Sequence, residues 1–359
     1  MPNPDPEPFT AIDRELADHA VRPVICGCSG ARLTPEEARY FEAAQPAGFI
    51  LFARNCQTPD QLRALIDELV ATTARTHVPI LIDQEGGRVA RLGPPHWRRY
   101  PPAAQFGALA ERNPGSAERA VWAMARLIAA ELADVGITVD CAPVVDLARP
   151  EGHQVIGDRA FSHDPDIVAR LGRAFCDGLM ASGVLPVVKH IPGHGRAPAD
   201  SHERCPIVNT PRAELADSDF HPFRALADMP LAMTAHVVYA DIDAGAPATL
   251  SEPVIADVIR GELGFAGVLI SDDIGMGALE GPIEARARTA LAAGCDLVLH
   301  CSGVLADMEA LAATLAPMEE LARARLARAL AGRRSTQPVD PEELVKQMNE
   351  AGKGTPPNG

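Results

Sequence analysis

Short apolar runs rich in β-branched residues alternate along the chain with longer segments whose apolar positions recur at helical spacing. Most of the short runs are apolar throughout, which is typical of parallel strands that are covered on both faces. Eight such runs, each followed by a helical segment, in 359 residues predict a single (β/α)8 barrel of the TIM type, with an open doubly wound sheet as the alternative. The predicted strands are Pro23–Cys26, Gly48–Phe52, Pro79–Asp83, Thr138–Asp146, Leu185–His190, Leu231–Val238, Gly267–Asp272 and Cys295–Cys301.

Two of the helical segments carry clear start signals. Thr34-Pro35-Glu36-Glu37 and Thr58-Pro59-Asp60-Gln61 each offer an N-cap residue, a proline at the first helical position and an acid or amide at the third. After the second signal, five residues form one apolar stripe at helical spacing: Leu62, Leu65, Ile66, Leu69 and Val70. Further helical patterns occupy residues 116–135, 165–182, 211–227, 253–262, 282–293 and 303–332.

The two ends of the chain differ in composition from the rest. Residues 1–20 begin with a proline-rich acidic stretch that we interpret as a flexible arm, and it lacks the basic and apolar regions of a secretory signal. Residues 336–359 are polar and rich in proline and glycine, which indicates a flexible tail. The barrel is therefore predicted to span residues 21–335, and the protein is expected to be cytoplasmic.

Composition excludes several classes of protein. The net charge of −15 and the 4% of aromatic residues argue against nucleic-acid binding, which needs a basic face and stacking surfaces. No segment approaches the roughly 18 consecutive apolar residues of a membrane span, so no membrane partner is expected. The eight cysteines are scattered without a CxxC pair, which favours free thiols in a reducing compartment over a disulfide or zinc site.

Polar residues collect where the predicted strands end, which is where barrel enzymes place their active sites. Six strands contribute to this mouth, and the loop after the fifth strand is the richest. Three of the chain's eleven histidines, His190, His194 and His202, lie there within thirteen residues. The strand-end residues are Arg54-Asn55, Asp83-Gln84-Glu85, Asp146, Lys189-His190, His236 and Ser271-Asp272-Asp273.

Three kinds of chemistry fit the loop after strand five. His190, His194 and His202 with Asp200 could hold a metal, although nearby cations oppose this. Lys189 could act as the amine of a Schiff base. Asp200 and His202 could form an acid/base pair in which the carboxylate orients the imidazole.

Asp272 supplies a partner for such a pair. It ends a buried strand at the pocket mouth, and Asp273 is expected to cap the following helix. A carboxylate facing a proton donor across a sugar is the minimum equipment for retaining glycoside hydrolysis. Asp83, Arg91 and Arg159 add charged groups suited to sugar hydroxyls, with structural arginine–carboxylate pairs as the alternative.

At these residues the chain resembles the family 3 glycoside hydrolases, specifically the single-domain bacterial β-N-acetylglucosaminidases of cell-wall recycling. The resemblance runs from about Cys26 to Cys301 and rests on many motifs in the family's order. They are Gly48-Phe49-Ile50-Leu51-Phe52 through Asn55, Asp83-Gln84-Glu85-Gly86-Gly87-Arg88-Val89 with Arg91-Leu92, Ala142-Pro143-Val144-Val145-Asp146, Arg159-Ala160-Phe161, Lys189-His190 through Gly195 with Asp200-Ser201-His202, Ala235-His236-Val237 with Pro247-Ala248-Thr249-Leu250-Ser251, and Ser271-Asp272-Asp273.

The resemblance implies a role for each matching residue. Asp272 would be the nucleophile, and His202, held by Asp200 on a mobile loop, would be the acid/base. The implied substrates are small carbohydrates, N-acetylglucosaminyl-anhydromuramic acid and related muropeptides, cleaved from the end without a cofactor or metal. The implied sugar-binding residues are Asp83, Arg91, Arg159, Lys189 and His190.

Two departures from the resemblance adjoin the key residues. Ile274-Gly275-Met276-Gly277 stands where relatives often carry Leu-Ser-Met, and Arg196-Ala197 stands where they often carry Asp-Thr. Three other functions remain open at this point: a phosphorylase that passes the sugar to phosphate, a lyase that uses Lys189, and a sugar-binding barrel without catalysis.

Overall fold

Eight parallel strands close into a barrel in the computed structural model, which describes residues 6–334, 338 and 340–349. Each strand pairs with its neighbours in chain order, and the last pairs with the first. The predicted (β/α)8 barrel is therefore confirmed. Its strands are β1 (Arg22–Gly27), β2 (Pro46–Leu51), β3 (Ile80–Ile82), β4 (Val139–Asp140), β5 (Leu185–Ile191), β6 (Leu231–Thr234), β7 (Val268–Asp273) and β8 (Leu297–His300).

Helices surround the barrel and cover the outer faces of its strands. They are α1 (Pro6–Asp18), α2 (Pro35–Ala44), α3 (Pro59–Ala71), α4 (Ala103–Ala110), α5 (Pro114–Asp134), α6 (Pro165–Ala181), α7 (Arg212–Asp217), α8 (His221–Ala225), α9 (Ile283–Ala293), α10 (Leu305–Thr314), α11 (Glu320–Ala331) and α12 (Pro341–Met348), with a π-helical segment at Val254–Glu262. In the part of the chain that the structure describes, no helix is long and apolar enough to cross a membrane.

The two predicted helix starts are confirmed. The Thr34 side chain accepts from the Glu37 N–H while Glu37 accepts from the Thr34 N–H, which forms a capping box at the start of α2. Thr58 accepts from the Gln61 N–H at the start of α3. The apolar stripe of α3 faces the barrel, with Leu62, Leu65, Ile66 and Leu69 buried.

The fourth strand is much shorter than the predicted Thr138–Asp146. Only Val139 and Asp140 form a ladder with β3 and β5, and Val144 makes an isolated bridge to Lys189. Pro143 lacks the N–H that a continuous ladder needs, so the chain leaves regular pairing there. Two predicted helices are also divided: residues 303–332 form α10 and α11, which Pro317 separates, and residues 211–227 form α7 and α8.

The predicted flexible ends are helical where the structure describes them. In α1, Ile12 and Leu16 are buried against α11 at one end of the barrel interior, and Asp13 accepts from Arg323 at 2.9 Å. In α12, Leu344 and Met348 are buried in the outer core. The free energy gained by burying these apolar pairs outweighs the conformational entropy lost when the two segments become helical. Composition alone had predicted that both segments are flexible. Residues 1–5 of the predicted arm and residues 336, 337, 339 and 350–359 of the predicted tail lie outside the described residues.

Side chains that point into the barrel form its inner core. Ile25, Ile50, Val187, Met233 and Ile270 belong to this cluster, and all are buried. Ile50, Met233 and Leu299 also line the cavity at the carboxyl end of the barrel. The inner core therefore closes the floor of the site.

Candidate active site

A cavity of about 480 Å³ opens at the carboxyl ends of the barrel strands. Its walls come from the ends of β3, β5 and β7 and from the loops that follow them. Six of the predicted strand-end residues do not line this cavity: Arg54, Asn55, Gln84, Asp146, His236 and Ser271. The eight side chains that were assigned catalytic or sugar-binding roles all do: Asp83, Arg91, Arg159, Lys189, His190, Asp200, His202 and Asp272. The convergence expected at the barrel mouth is therefore present.

A chain of ion pairs forms one wall of the cavity. The Lys189 ammonium lies 2.8 Å from Asp83 Oδ1 and 2.7 Å from Glu85 Oε1. Arg91 donates to the other Asp83 oxygen at 3.0 Å, and Arg159 donates two hydrogen bonds of 2.8 Å to Glu85. Paired in this way, the charges are fixed in position, and each still lines the cavity.

This pairing determines the protonation of Lys189. Burial alone would lower its pKa, but the carboxylates of Asp83 and Glu85 outweigh burial and raise the pKa above the ordinary lysine value. For Glu85, the cations of Lys189 and Arg159 outweigh the effect of burial and lower its pKa to about 2. A protonated amine cannot attack a carbonyl carbon, so the geometry disfavours Schiff-base chemistry at Lys189.

His190 and His194 are both held by Asp146 at the end of the fourth-strand segment. Asp146 is buried, and its carboxylate accepts from the His190 ring Nδ1 at 2.7 Å and from the His194 N–H at 2.6 Å. Since an ionised carboxylate can only accept, Nδ1 of His190 carries a proton, and Nε2 is the ring nitrogen left to meet a ligand. Burial first, and then the charge of His190, lowers the pKa of His194 to about 4.

The loop histidines do not form a metal centre. The His194 ring bonds to the Ser201 hydroxyl at 3.1 Å, while the His202 ring bonds to Asp200. Among the residues that the structure describes, no group of three or more His, Cys, Asp or Glu side chains is arranged to hold a metal ion.

Asp200 and His202 form the pair that their spacing suggested. Asp200 Oδ1 accepts from His202 Nδ1 at 2.7 Å and from the His202 N–H at 2.9 Å. Burial would raise the pKa of Asp200, but these two bonds outweigh burial and lower it. Nε2 is therefore the ring nitrogen of His202 that remains available to a ligand. The side chain is 66% exposed and lines the cavity.

Asp272 stands at the end of β7 and is held by its own backbone. Its Oδ1 accepts from the Asp273 N–H at 2.8 Å. Burial alone would raise the pKa of Asp272, but the nearby imidazoles of His236 and His190, together with this N–H, outweigh burial and lower it. Asp272 is therefore ionised at neutral pH, as a nucleophile must be.

The predicted cap role of Asp273 is wrong. The next helix, α9, begins only at Ile283, so there is no helix end beside Asp273 to cap. Instead, Asp273 Oδ1 accepts from Gly275 N–H at 2.9 Å and from Cys301 N–H at 3.2 Å. It closes a turn and ties the end of β7 to the end of β8.

Three supporting residues have no assigned role in the sequence-based prediction. Glu85 is the second partner of Lys189, and Asp146 holds both His190 and His194. His236 is buried, contacts the Thr249 hydroxyl at 2.7 Å and reaches the Asp273 carbonyl at 3.0 Å. All three belong to the predicted strand-end residues, so the sequence indicated that they lie near the barrel mouth. Their roles could not be predicted, because their partners are distant in sequence.

The ion-pair wall predicts a pH-dependent stability. Replacement of Lys189 by methionine leaves Asp83 and Glu85 buried without their shared cation, so we expect a loss of about 3–5 kcal/mol of unfolding free energy at pH 7. The folded-state pKa of Glu85 lies below its unfolded value, so its contribution is present above about pH 4.3 and is lost as the pH falls toward about 2. The deficit of the variant should therefore be smaller at about pH 3 than at pH 7, as measured by urea denaturation.

Lys346→Met is the matched control, because Lys346 is exposed on α12 and has only a surface contact with Glu343. We expect this control to change the unfolding free energy by less than about 0.5 kcal/mol at either pH. A Lys189→Met deficit that stays the same at both pH values would contradict the ion-pair explanation.

Comparison with known proteins identifies the family. Residues 19–331 match the family profile described as the glycosyl hydrolase family 3 N terminal domain. The β-hexosaminidase of Alkalilimnicola ehrlichii is 43% identical over 284 residues, which cover 78% of this chain and 80% of that protein. The β-hexosaminidase of Methylobacillus flagellatus is 37% identical over 341 residues, which cover 92% of this chain and 97% of that protein.

Solved structures give the same result. The structure of NagZ from Neisseria gonorrhoeae in complex with N-trifluoroacetyl-D-glucosamine superposes with a TM-score of 0.80 at 34% identity, covering 91% of this chain and 93% of that one. The family resemblance and the prediction of a glycoside hydrolase are therefore confirmed, and a sugar-binding barrel without catalysis is excluded. The chain belongs to glycosyl hydrolase family 3 and is a hydrolase with β-hexosaminidase activity.

Proposed function

We propose that the protein is an exo-acting, retaining β-N-acetylglucosaminidase that removes terminal N-acetylglucosamine from cell-wall fragments during peptidoglycan recycling. The observation that carries this proposal is the shared cavity, in which an ionised carboxylate, Asp272, and a carboxylate–imidazole pair, Asp200–His202, line one pocket. These are the groups that a two-step displacement at an anomeric carbon requires.

In the first step, Asp272 attacks the anomeric carbon while His202 Nε2 gives its proton to the departing glycosidic oxygen. The bond from Asp200 to Nδ1 fixes the tautomer and stabilises the imidazolium. In the second step, the neutral imidazole takes a proton from water, which attacks the same carbon and releases Asp272. Two inversions leave the β configuration of the sugar unchanged.

The remaining predicted residues would hold the sugar. Asp83 and Lys189 present charged hydrogen-bonding groups, and Arg91 and Arg159 frame them. Nε2 of His190 adds a ring nitrogen that Asp146 orients. Because their mutual contacts already fix these groups, they lose little side-chain freedom when hydroxyls bind.

The shape of the cavity supports action at a chain end. Ile50, Met233 and Leu299 form its floor, so the cavity ends against the inner core of the barrel. A pocket admits a terminal sugar and leaves the remainder of the substrate outside. The N-trifluoroacetyl-D-glucosamine bound by the Neisseria protein supports an N-acyl amino sugar as that terminal unit.

We place the reaction in the cytoplasm, with N-acetylglucosaminyl-anhydromuramic acid and related muropeptides as substrates. The resemblance to enzymes of cell-wall recycling supports these substrates. All eight cysteines are free thiols, as expected in a reducing compartment.

The test is turnover of an aryl β-N-acetylglucosaminide with and without phosphate, followed by competition between N-acetylglucosaminyl-anhydromuramic acid and chitobiose. We expect hydrolysis without phosphate, a β-configured product by NMR, and a higher kcat/KM for the anhydromuramyl substrate. Release of a sugar phosphate only when phosphate is present would make the enzyme a phosphorylase. A preference for chitobiose would overturn the proposed cell-wall substrate while leaving the proposed mechanism intact.

A further inference from the structure

We propose that Arg196 and Gly277 anchor the two ends of the acid/base loop, residues 193–205, and so position His202 at the cavity before substrate binds. This inference rests on the proposed acid/base role of His202. It adds two positioning residues that contact neither the sugar nor the reacting atoms.

The first anchor is an ion-pair cluster at the start of the loop. Arg196 Nε donates to Asp219 Oδ2 at 2.7 Å, and its terminal nitrogens lie 2.9 Å from Glu214 and 3.6 Å from Glu151. The Asp219 side chain is only 1% exposed and also accepts from Arg149 at 3.3 Å. A cluster that includes a buried carboxylate holds a loop more firmly than one exposed pair does.

The second anchor joins the end of the loop to the segment that follows Asp272. The Gly277 N–H donates to the His202 carbonyl at 3.1 Å, and the Ala278 N–H donates to the Ser201 carbonyl at 3.1 Å. A Cβ atom at position 277 would lie 2.8 Å from the carbonyl oxygens of both His202 and Glu203. Only glycine allows the two backbones to approach this closely.

The contacts of the His202 side chain explain why backbone anchors are needed. Its imidazole is 66% exposed, so packing does little to fix it. The adjoining Ser201 is buried and bonds to His194, whose N–H is held by Asp146. The position of His202 is therefore set by the backbone on either side of it and by Asp200, rather than by contacts of its own ring.

The anchors also link the two reacting groups. Gly277 lies five residues after Asp272, and the turn closed by Asp273 and Gly275 shapes the segment between them. The loop thus docks on the same segment that carries the proposed nucleophile. Arg196 falls within one of the two segments where the sequence departs from the family pattern, and its ion pairs give that departure a physical role.

Amide hydrogen exchange tests the anchors independently of catalysis. In the ligand-free wild type, we expect slow exchange at the Gly277 and Ala278 amides. Arg196→Gln and Gly277→Ala should each speed exchange across residues 196–205 by at least about tenfold, with the barrel strands unchanged. Two matched variants serve as controls: Arg39→Gln removes an exposed surface pair, and Gly30→Ala places its Cβ in open space. Unchanged exchange in the two anchor variants would overturn the proposal.

Leaving-group dependence tests positioning. For Gly277→Ala we expect kcat/KM for the phenyl glycoside, a poor leaving group that needs protonation, to fall by about 10–100-fold. The 2,4-dinitrophenyl glycoside needs no proton, so its kcat/KM should fall by less than about threefold. Equal losses on both substrates would indicate general damage and overturn the positioning role. If His202→Ala itself shows no leaving-group dependence, the proposed function fails, while the exchange result still reports whether the anchors exist.

Discussion

Replacement of Asp272 by alanine is expected to lower kcat/KM for an aryl β-N-acetylglucosaminide by at least about 10⁴-fold, because the nucleophile of a covalent mechanism is removed. Two other aspartates that line the cavity are already held by other partners. Asp273 is engaged by the amides of Gly275 and Cys301, and Asp83 is paired with Lys189 and Arg91. Initial rates with a chromogenic glycoside, together with an unchanged melting temperature, measure this loss.

The adjacent residue offers a matched control. Asp273→Asn retains a side-chain oxygen that can accept from Gly275 and Cys301, so the turn and its tie to β8 should survive. We expect its kcat/KM to stay within about tenfold of the wild type, because a neutral amide replaces a carboxylate that does not react. Near-normal turnover in Asp272→Ala, with loss in Asp273→Asn, would show that the neighbouring aspartate is the nucleophile.

Replacement of His202 by alanine should have the second largest effect, and its size should depend on the leaving group. With a phenyl glycoside we expect a loss of about 10²–10⁴-fold in kcat/KM, the usual contribution of a general acid. With a 2,4-dinitrophenyl glycoside the first step should be nearly normal, and the second step should become limiting because no base activates water. Azide, an anion that needs no base, should then restore kcat and release a β-glycosyl azide.

His96→Ala is the control for this variant, since His96 is an exposed histidine outside the site cavity. It should retain wild-type rates with both substrates and show no response to azide. If His202→Ala loses activity equally on both substrates and azide restores nothing, His202 is not the acid/base group.

The barrel could be predicted from the sequence because buried parallel strands leave a strong pattern. All eight apolar runs became barrel strands. The fourth run was predicted too long because Ala142-Pro143-Val144 is apolar yet lacks one backbone donor. The terminal helices α1 and α12 were not predicted, because the proline-rich and polar composition of the chain ends was given more weight than their local helix signals. Asp340 and Pro341 repeat the N-cap and first-turn proline that identified α2, and Leu344 and Met348 stand one helical turn apart.

The candidate site was predictable to the extent that chain position fixes it. A polar residue at the end of a barrel strand reaches the mouth whatever its partners are, so four of the eight side chains could be expected to converge from chain position alone: Asp83, Lys189, His190 and Asp272. The other four lie further along the loops, and the roles of Arg91, Arg159, Asp200 and His202 at the cavity were implied by the family resemblance. The partners themselves come from tertiary contacts. Nothing near Lys189 in the sequence indicates that Glu85 is its second carboxylate, and nothing near Asp146 indicates that it holds two histidines.

The proposed chemistry depends on a covalent bond between the sugar and Asp272, and trapping that bond tests it most directly. A fluorine at C5 slows both steps, so incubation with a 5-fluoro-N-acetylglucosaminyl fluoride should accumulate the glycosyl-enzyme. Proteolysis and fragmentation mass spectrometry then locate the sugar and distinguish Asp272 from Asp273. We expect the label on the Asp272 carboxylate in the wild type and none in Asp272→Ala. A label on another residue, or fluoride release without any covalent adduct, would contradict the proposed mechanism.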